Sequence, residues 1–261
     1  MPVPLTNDVD FTDYMWMAEG LDEFDRQGPK WKDVLLSFRN LNDKERQIHP
    51  EKKAGVFYTT VMLDVKSYLP WLMEKFRSRG GRVEFKKIES LKEISERYDI
   101  IINCAGLGAS KLFNDGDLQP IKGQVRRVYA PWIKHFIYDY NEHDGTETHI
   151  LPGRDYVTVG GTAIKGNWST EPCHEDQDRI WQNAIRLCPS LKNARIVADW
   201  AGLRPGRSRV RLELEDGTTG PMVIHNYGHG GSGISLHWGC AGEVVKLFQT
   251  ALLKQNITSK L

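Results

Sequence analysis

Four glycines fall within six residues at Gly228-His229-Gly230-Gly231-Ser232-Gly233, between the β-prone run Val223-Ile224-His225-Asn226-Tyr227 and a helical stretch from Ile234. Such a turn aims bare backbone N–H groups along a helix N-terminus. The dipole there favours negative charge, and missing Cβ atoms let the chain approach a planar or phosphorylated ligand closely. A tight strand-to-helix turn that needs left-handed residues would give the same residues without a ligand. A second turn, Ala105-Gly106-Leu107-Gly108-Ala109-Ser110, follows the apolar run Asp99 to Cys104 and puts N–H groups at the carboxyl edge of a sheet, where such sheets bind ligands. Cys104, Cys173, Cys188 and Cys240 have neither the paired spacing of a zinc site nor the density of a disulfide scaffold, so reduced thiols and no metal are expected. The terminal Ser259-Lys260-Leu261 is the tripeptide read by the peroxisomal import receptor, which points to the peroxisome matrix.

The elements that must position these turns follow from local pattern. Trp31 to Phe38 is β-prone, and Asn42 with Glu45 three residues later forms a helix-opening capping pair. Ala54 to Met62 alternates as a strand. Ser67 is expected to cap the next helix, with Pro70 in its first turn and Gly80-Gly81 at its end. A strand over Arg82 to Lys87 and a strand buried on both faces over Asp99 to Cys104 come next. From Gly123 to Thr162 short β-prone pieces alternate with turns at Asn141 to Gly145 and Gly153-Arg154-Asp155, which predicts antiparallel sheet. A helix near Glu175 to Leu187, stopped by Pro189, precedes strands over Ala194 to Leu203 and Arg209 to Leu214.

Composition narrows the function. With 40% hydrophobic and 26% charged residues the chain reads as globular, and no apolar run is long enough to cross a bilayer, so no membrane partner is expected. Lys plus Arg number 35 against 34 for Asp plus Glu, so no global field draws nucleic acid. Met1 to Asp13 is polar and has no export signal.

Several blocks resemble the D-amino-acid oxidase family in order and spacing. They are Trp31-Lys32-Asp33 with Phe38-Arg39, Asn103-Cys104-Ala105-Gly106, Ala130-Pro131-Trp132 with His135-Phe136-Ile137, Gly160-Gly161-Thr162, Gly202-Leu203-Arg204-Pro205 and Asn226-Tyr227-Gly228-His229-Gly230-Gly231. Gly106-Leu107-Gly108, Lys165-Gly166 before Trp168, and Gly233-Ile234-Ser235 with His237-Trp238-Gly239 look closer to the D-aspartate branch. The resemblance implies an α/β fold in which a truncated Rossmann-like FAD-binding domain is interleaved with a mixed, largely antiparallel β-sheet substrate domain. The expected substrate domain is 1–65 and 115–199, the remaining FAD-binding domain is 66–114 and 200–254, and 255–261 is a tail with the peroxisomal signal. The implied activity is FAD-dependent oxidation of D-amino acids, D-aspartate and D-glutamate preferred, to keto acids, ammonia and hydrogen peroxide, with molecular oxygen as acceptor.

By the family's pattern Arg204 holds the substrate α-carboxylate, with Ser232 and His149 also at the substrate. Gly230, Gly231, Gly233, Ile234 and Ser235 line the flavin, while Ile88 and Ala105 lie near the adenosine portion. Arg204 in an ordinary surface pair and Ile88 and Ala105 in plain core packing are the bland alternatives. His149 stands where the family usually has tyrosine. Its imidazole can donate to a carboxylate, or it is a solvent-facing strand residue. Tyr138 and Ala163 occupy positions resembling the D-aspartate branch's side-chain arginines, and Arg154, Lys165 or Arg207 are nearby cations able to compensate. The family's opening strand, G-x-G-x-x-G turn and helix, which hold the FAD pyrophosphate, have no counterpart before Trp31. Their lack exposes apolar sheet edges and leaves a second expectation, a truncated non-catalytic relative acting as a binding or regulatory partner.

Overall fold

The structure, a computed structural model, describes residues 15–22, 32–48, 50, 55–141, 146–215 and 220–254. The terminal tripeptide and most of the expected Asn141 to Gly145 turn lie outside these residues. In chain order, β1 (Met15–Asp22), β2 (Ser37–Asn40), α1 (Asp43–Arg46) and β3 (Val56–Leu63) lead to α2 (Val65–Ser78), α3 (Lys92–Ser95), β4 (Ile100–Asn103) and α4 (Ala109–Leu112). A β-rich stretch follows, with β5 (Gln119–Tyr129), β6 (Phe136–Asn141), β7 (Thr146–Pro152), β8 (Val157–Gly160) and β9 (Ile164–Lys165). The chain closes with α5 (His174–Leu187), β10 (Arg195–Glu215), β11 (Met222–His229) and α6 (Gly233–Lys254). No helix among the described residues is long and apolar enough to cross a membrane.

The chain divides into two compact units, and it passes between them within β5 and β10. The first holds the described residues of Met1–Glu84, Gln124–Thr162 and Glu171–Ala201. Its strands are ordered β2-β3-β1-β6-β7-β8-β5, antiparallel except where β1 runs parallel to β6 at Gly20↔Phe136. The strand period of two puts Gln124, Arg126 and Val128 of β5 inward, and Val128 joins Ile150, Val157 and Val159 beneath α5. α5 supplies Ile180, Ala184 and Leu187 from one face, each Ile or Leu side chain contributing about 1.5–3 kcal/mol by leaving water. Gln124, fully buried, pins the start of α5: its Oε1 accepts from Cys173 N at 2.8 Å and its Nε2 donates to Cys173 O at 2.7 Å.

Several local expectations need correction. Asp64, not Ser67, caps α2, accepting from Lys66 N at 3.1 Å and from Ser67 Oγ at 2.7 Å, so Pro70 lies beyond the first turn. At the other end Gly80 takes φ +85, with Gly80 N bonded to Arg77 O and Gly81 N to Phe76 O, the paired bonds of a glycine-terminated helix. Over Trp31 to Phe38 the described residues form a 3-10 turn at Lys32–Val34 and only the beginning of β2. Arg82 to Lys87 forms no strand, since no ladder partner lies beside it among the described residues and Lys86 instead pairs with Glu93 at 2.8 Å. The two strands expected over 194–214 are the single β10.

The second unit holds Phe85–Gly123, Ala163–Thr170 and the described part of Gly202–Leu261. Here β11 pairs antiparallel with β10 and parallel with β4, as in Ile224↔Ile102. Ala109, Leu118 and Tyr227 form its buried cluster. β4 ends the strand order, and Ile102 is 48% exposed, which corrects the expectation of a strand buried on both faces.

Candidate active site

β11 delivers the chain to the glycine turn with two left-handed residues. Gly228 has φ +86, and a Cβ on it would meet Arg207 Cβ at 2.9 Å. Gly230 has φ +56, yet no described residue lies within 4 Å of where its Cβ would be, so the space above it is open among the described residues. Gly230 to Ser232 form a 3-10 turn, and Gly233 starts the 22-residue α6 with Ile234 and Ser235 exposed in its first turn. The sequence-predicted Arg204 lies on β10 in the same unit. Its Cδ and Nε would be 3.6 and 3.7 Å from a Cβ on Gly231, and its guanidinium fills the space that a side chain on Gly123 would need. The unit thus seats Arg204 beside the glycine turn, and it is Gly123 whose lack of a side chain leaves room for the guanidinium.

The second turn lies close by. Gly106 has φ +55, with its would-be Cβ 4.0 Å from Pro205 Cβ, next in sequence to Arg204. Ala105 is exposed rather than core-packed, and its N–H donates to Asn103 Oδ1 at 3.0 Å. Ile88 is half-buried in an irregular segment joined to α4 through Glu89 and Lys111 at 3.2 Å. His149 belongs to the first unit, where β7 sets it opposite Tyr138 and Gly160. Its ring stacks on Tyr138 at 6.2 Å and covers Gly160-Gly161, where a Cβ on Gly160 would collide with it. It is half-buried, between the buried Thr148 and Ile150 on the strand. A groove of about 610 Å³ in the first unit, lined by Lys134, Arg154, Tyr156 and Arg195 among others, includes none of these residues except the cation Arg154.

Behind the glycine turn lies a polar network that sequence reading missed. Arg207 Nε donates to Asp115 Oδ2 at 3.0 Å and Tyr227 Oη donates to the same oxygen at 2.8 Å. Burial alone would raise the Asp115 carboxyl, but those two bonds and the Asp117 N–H hold it below its ordinary range. Arg207 is thus engaged by Asp115, and its Nη1 donates to Arg209 O at 3.1 Å. No local pattern marks this network, because Tyr227 and Asp115 are 112 positions apart.

Whether these residues suit FAD can be tested on the turn itself. Asn226 Oδ1 and His229 Nε2 are buried polar atoms with no hydrogen-bond partner among the described residues, and burial holds the His229 imidazole below its ordinary value. Unpaired polar atoms beside open glycine backbone fit a ligand that brings its own donors and acceptors. Gly228, Gly230 and Gly233 also have the spacing G-x-G-x-x-G after a strand and before a helix, so this spacing, expected only in an opening unit, does occur. The wider context of a dinucleotide fingerprint is not met. No strand follows α6 among the described residues, and the position about 20 residues on falls within the helix. The unpaired atoms and open backbone of the turn are compatible with FAD, and the turn is not a pyrophosphate fingerprint.

Residues 6–247 match the FAD dependent oxidoreductase family. This chain belongs to that family. Within it, the chain is similar to D-aspartate oxidase of Homo sapiens, 41% identical over 84% of this chain and 64% of that protein. It is also similar to D-amino-acid oxidase of Rubrobacter xylanophilus, 37% identical over 90% of this chain and 72% of that one. The chain thus spans just under two thirds of the length of the human relative. Among solved structures, glycine oxidase from Geobacillus kaustophilus superposes with a TM-score of 0.73 at 18% identity, over 90% of this chain and 70% of that one, which shows the shared α/β fold.

Proposed function

We propose that this chain forms the flavin-facing and substrate-facing part of an FAD-dependent oxidase of D-amino acids, with D-aspartate and D-glutamate preferred. The observation that carries the reading is the seat of Arg204 between Gly123 and Gly231, one step from the open turn at Gly230. The chemistry FAD supplies when bound is acceptance of hydride from the substrate α-carbon and delivery of the electrons to molecular oxygen, giving hydrogen peroxide. Arg204 holds the α-carboxylate, since a planar guanidinium can pair both oxygens, and so fixes which face of the α-carbon is presented. Ser232 and His149 complete the substrate contacts. The backbone N–H groups of Gly230, Gly231, Gly233, Ile234 and Ser235 would hold the flavin, since donors at a helix terminus favour an electron-rich group. Ile88 and Ala105 take the adenosine portion.

On this reading residues 1–65 and 115–199 serve the substrate and 66–114 and 200–254 the cofactor. Ser259-Lys260-Leu261 directs the protein to the peroxisome matrix through the import receptor. The names of the similar proteins support an oxidase over a non-catalytic partner.

The test is an absorbance titration of the purified chain with FAD, followed by anaerobic addition of D-aspartate, D-glutamate or D-alanine. A bound-flavin band that bleaches with a D-amino acid, most readily an acidic one, is the expected result. A folded chain that retains no flavin overturns the reading. Import is tested separately: removal of Leu261 should leave a tagged protein in the cytosol, and unchanged peroxisomal staining would refute the address.

A further inference from the structure

A line of side-chain hydrogen bonds in the second unit runs from the surface to the Ala105 turn. Glu215 Oε2, at the exposed end of β10, lies 3.0 Å from His225 Nε2. His225 is fully buried on β11, and its Nδ1 lies 3.1 Å from Asn103 Nδ2. Asn103 Oδ1 in turn accepts from Ala105 N at 3.0 Å. Chemistry fixes every role. The Asn103 oxygen is taken by the backbone N–H, so its amide nitrogen, which only donates, faces the imidazole. Nδ1 must then accept, and the ring proton resides on Nε2, where the Glu215 carboxylate receives it. Packing alone does not require this tautomer, since the ring meets Phe113 edge-on at 4.8 Å and Tyr227 at 5.7 Å, contacts a phenyl ring also makes.

We propose that His225 is a positioning residue: Glu215 fixes its Nε2–H tautomer, Nδ1 orients Asn103, and Asn103 sets the Ala105-Gly106 turn in the geometry that receives the adenosine portion of FAD. The ligand's identity rests on the function proposed above, whereas the setting of the turn does not. Without the relay, the part-buried bond from Ala105 N–H loses its oriented acceptor, and Gly106 at φ +55 has no side chain to restrict the backbone.

The relay is read by hydrogen exchange of the Ala105 amide in the full chain and by FAD affinity from flavin fluorescence. In His225→Phe, which keeps the ring's shape, Ala105 should exchange about tenfold faster and FAD should bind about tenfold more weakly, the scale of one lost buried hydrogen bond. Amides of α5 should be unchanged. Glu215→Ala, at the surface and with Arg211 still held by Glu213, should act in the same direction and gives the readout should His225→Phe not fold. Glu215→Gln should rescue, because its amide oxygen still accepts the ring proton. Unchanged Ala105 exchange in Glu215→Ala, or a glutamine variant no better than alanine, overturns the relay. Should no variant nor the parent bind FAD, the cofactor reading fails, while the exchange data still decide on the relay.

Discussion

A methyl group on Gly123 would take the space of the Arg204 guanidinium. Gly123→Ala should therefore displace Arg204 and, if Arg204 holds the carboxylate as proposed, raise KM for a D-amino acid by about ten- to a hundredfold, the range of a charge-assisted hydrogen bond, with flavin affinity unchanged. Steady-state kinetics beside a flavin titration checks this, and equal loss of both would show that Arg204 acts on the cofactor. Titration gives a second expectation. Burial, and then the charge of Arg211, holds His225 below its ordinary value of 6.5, and burial does the same to His229. The folded chain therefore binds fewer protons than the unfolded one, and the stability that these neutral rings contribute is full above pH 6.5 and falls as pH drops below it. Asp115, held low, gives a further loss only below its ordinary 3.8. Urea unfolding at pH 7.5 and 5.5 should show the first decline, and His225→Phe should reduce it. The glycine turn was legible because left-handed backbone leaves glycines in the sequence, whereas Arg204 was singled out by family resemblance alone. The Asp115 to Tyr227 and Asn103 to His225 bonds were not, because each joins residues more than a hundred positions apart.

Among the elements, those closed by their own caps were the most readable. The Asn42 and Glu45 capping pair is present as the residues foretold, with Asn42 N to Glu45 Oε2 at 2.9 Å and Glu45 N to Asn42 Oδ1 at 3.1 Å. α5 spans nearly the residues its apolar spacing indicated. β1 escaped notice, since Ala18-Glu19-Gly20 breaks the alternation and only its eight-residue ladder with β3 makes it a strand. α2 was placed too late because Ser67 and Asp64 are both good caps, and the nearer carboxylate binds both the Lys66 N–H and the Ser67 hydroxyl. Asp64→Ala should cost about 1 kcal/mol, lowering Tm by about 2–4 °C, whereas Ser67→Ala should cost less. Thermal unfolding of the two variants would tell them apart, and equal losses would return the cap to Ser67. Gln124→Ala should cost about 1–3 kcal/mol, because it leaves Cys173 N and O without their side-chain partner at the head of α5.

At the scale of the whole molecule, α6 has apolar residues on more than one face. Val244 and Ala251 are buried, while Ile234, Trp238 and Val245, spaced to share another face, are each more than two-fifths exposed. Helices apolar all round belong inside larger bodies, and exposed apolar surface of this kind attracts hydrophobic probes and other chains. The purified chain should therefore bind a dye such as ANS while folded and should self-associate as concentration rises. Trp238→Lys with Val245→Lys should reduce both in light scattering and dye fluorescence, and no change would locate the sticky surface elsewhere. The pairing of β4 with β11 bears on how the protein is made. Asn103 meets His225 only after 122 further residues have been added, so a ribosome releases Ile100-Ile101-Ile102 long before its partner strand exists. Parallel ladders of such sequence distance form slowly and leave apolar strands open to wrong neighbours meanwhile. β11 thus decides whether β4 is kept in a sheet, and a nascent chain stalled before Met222 should be held by chaperones with that strand unpaired.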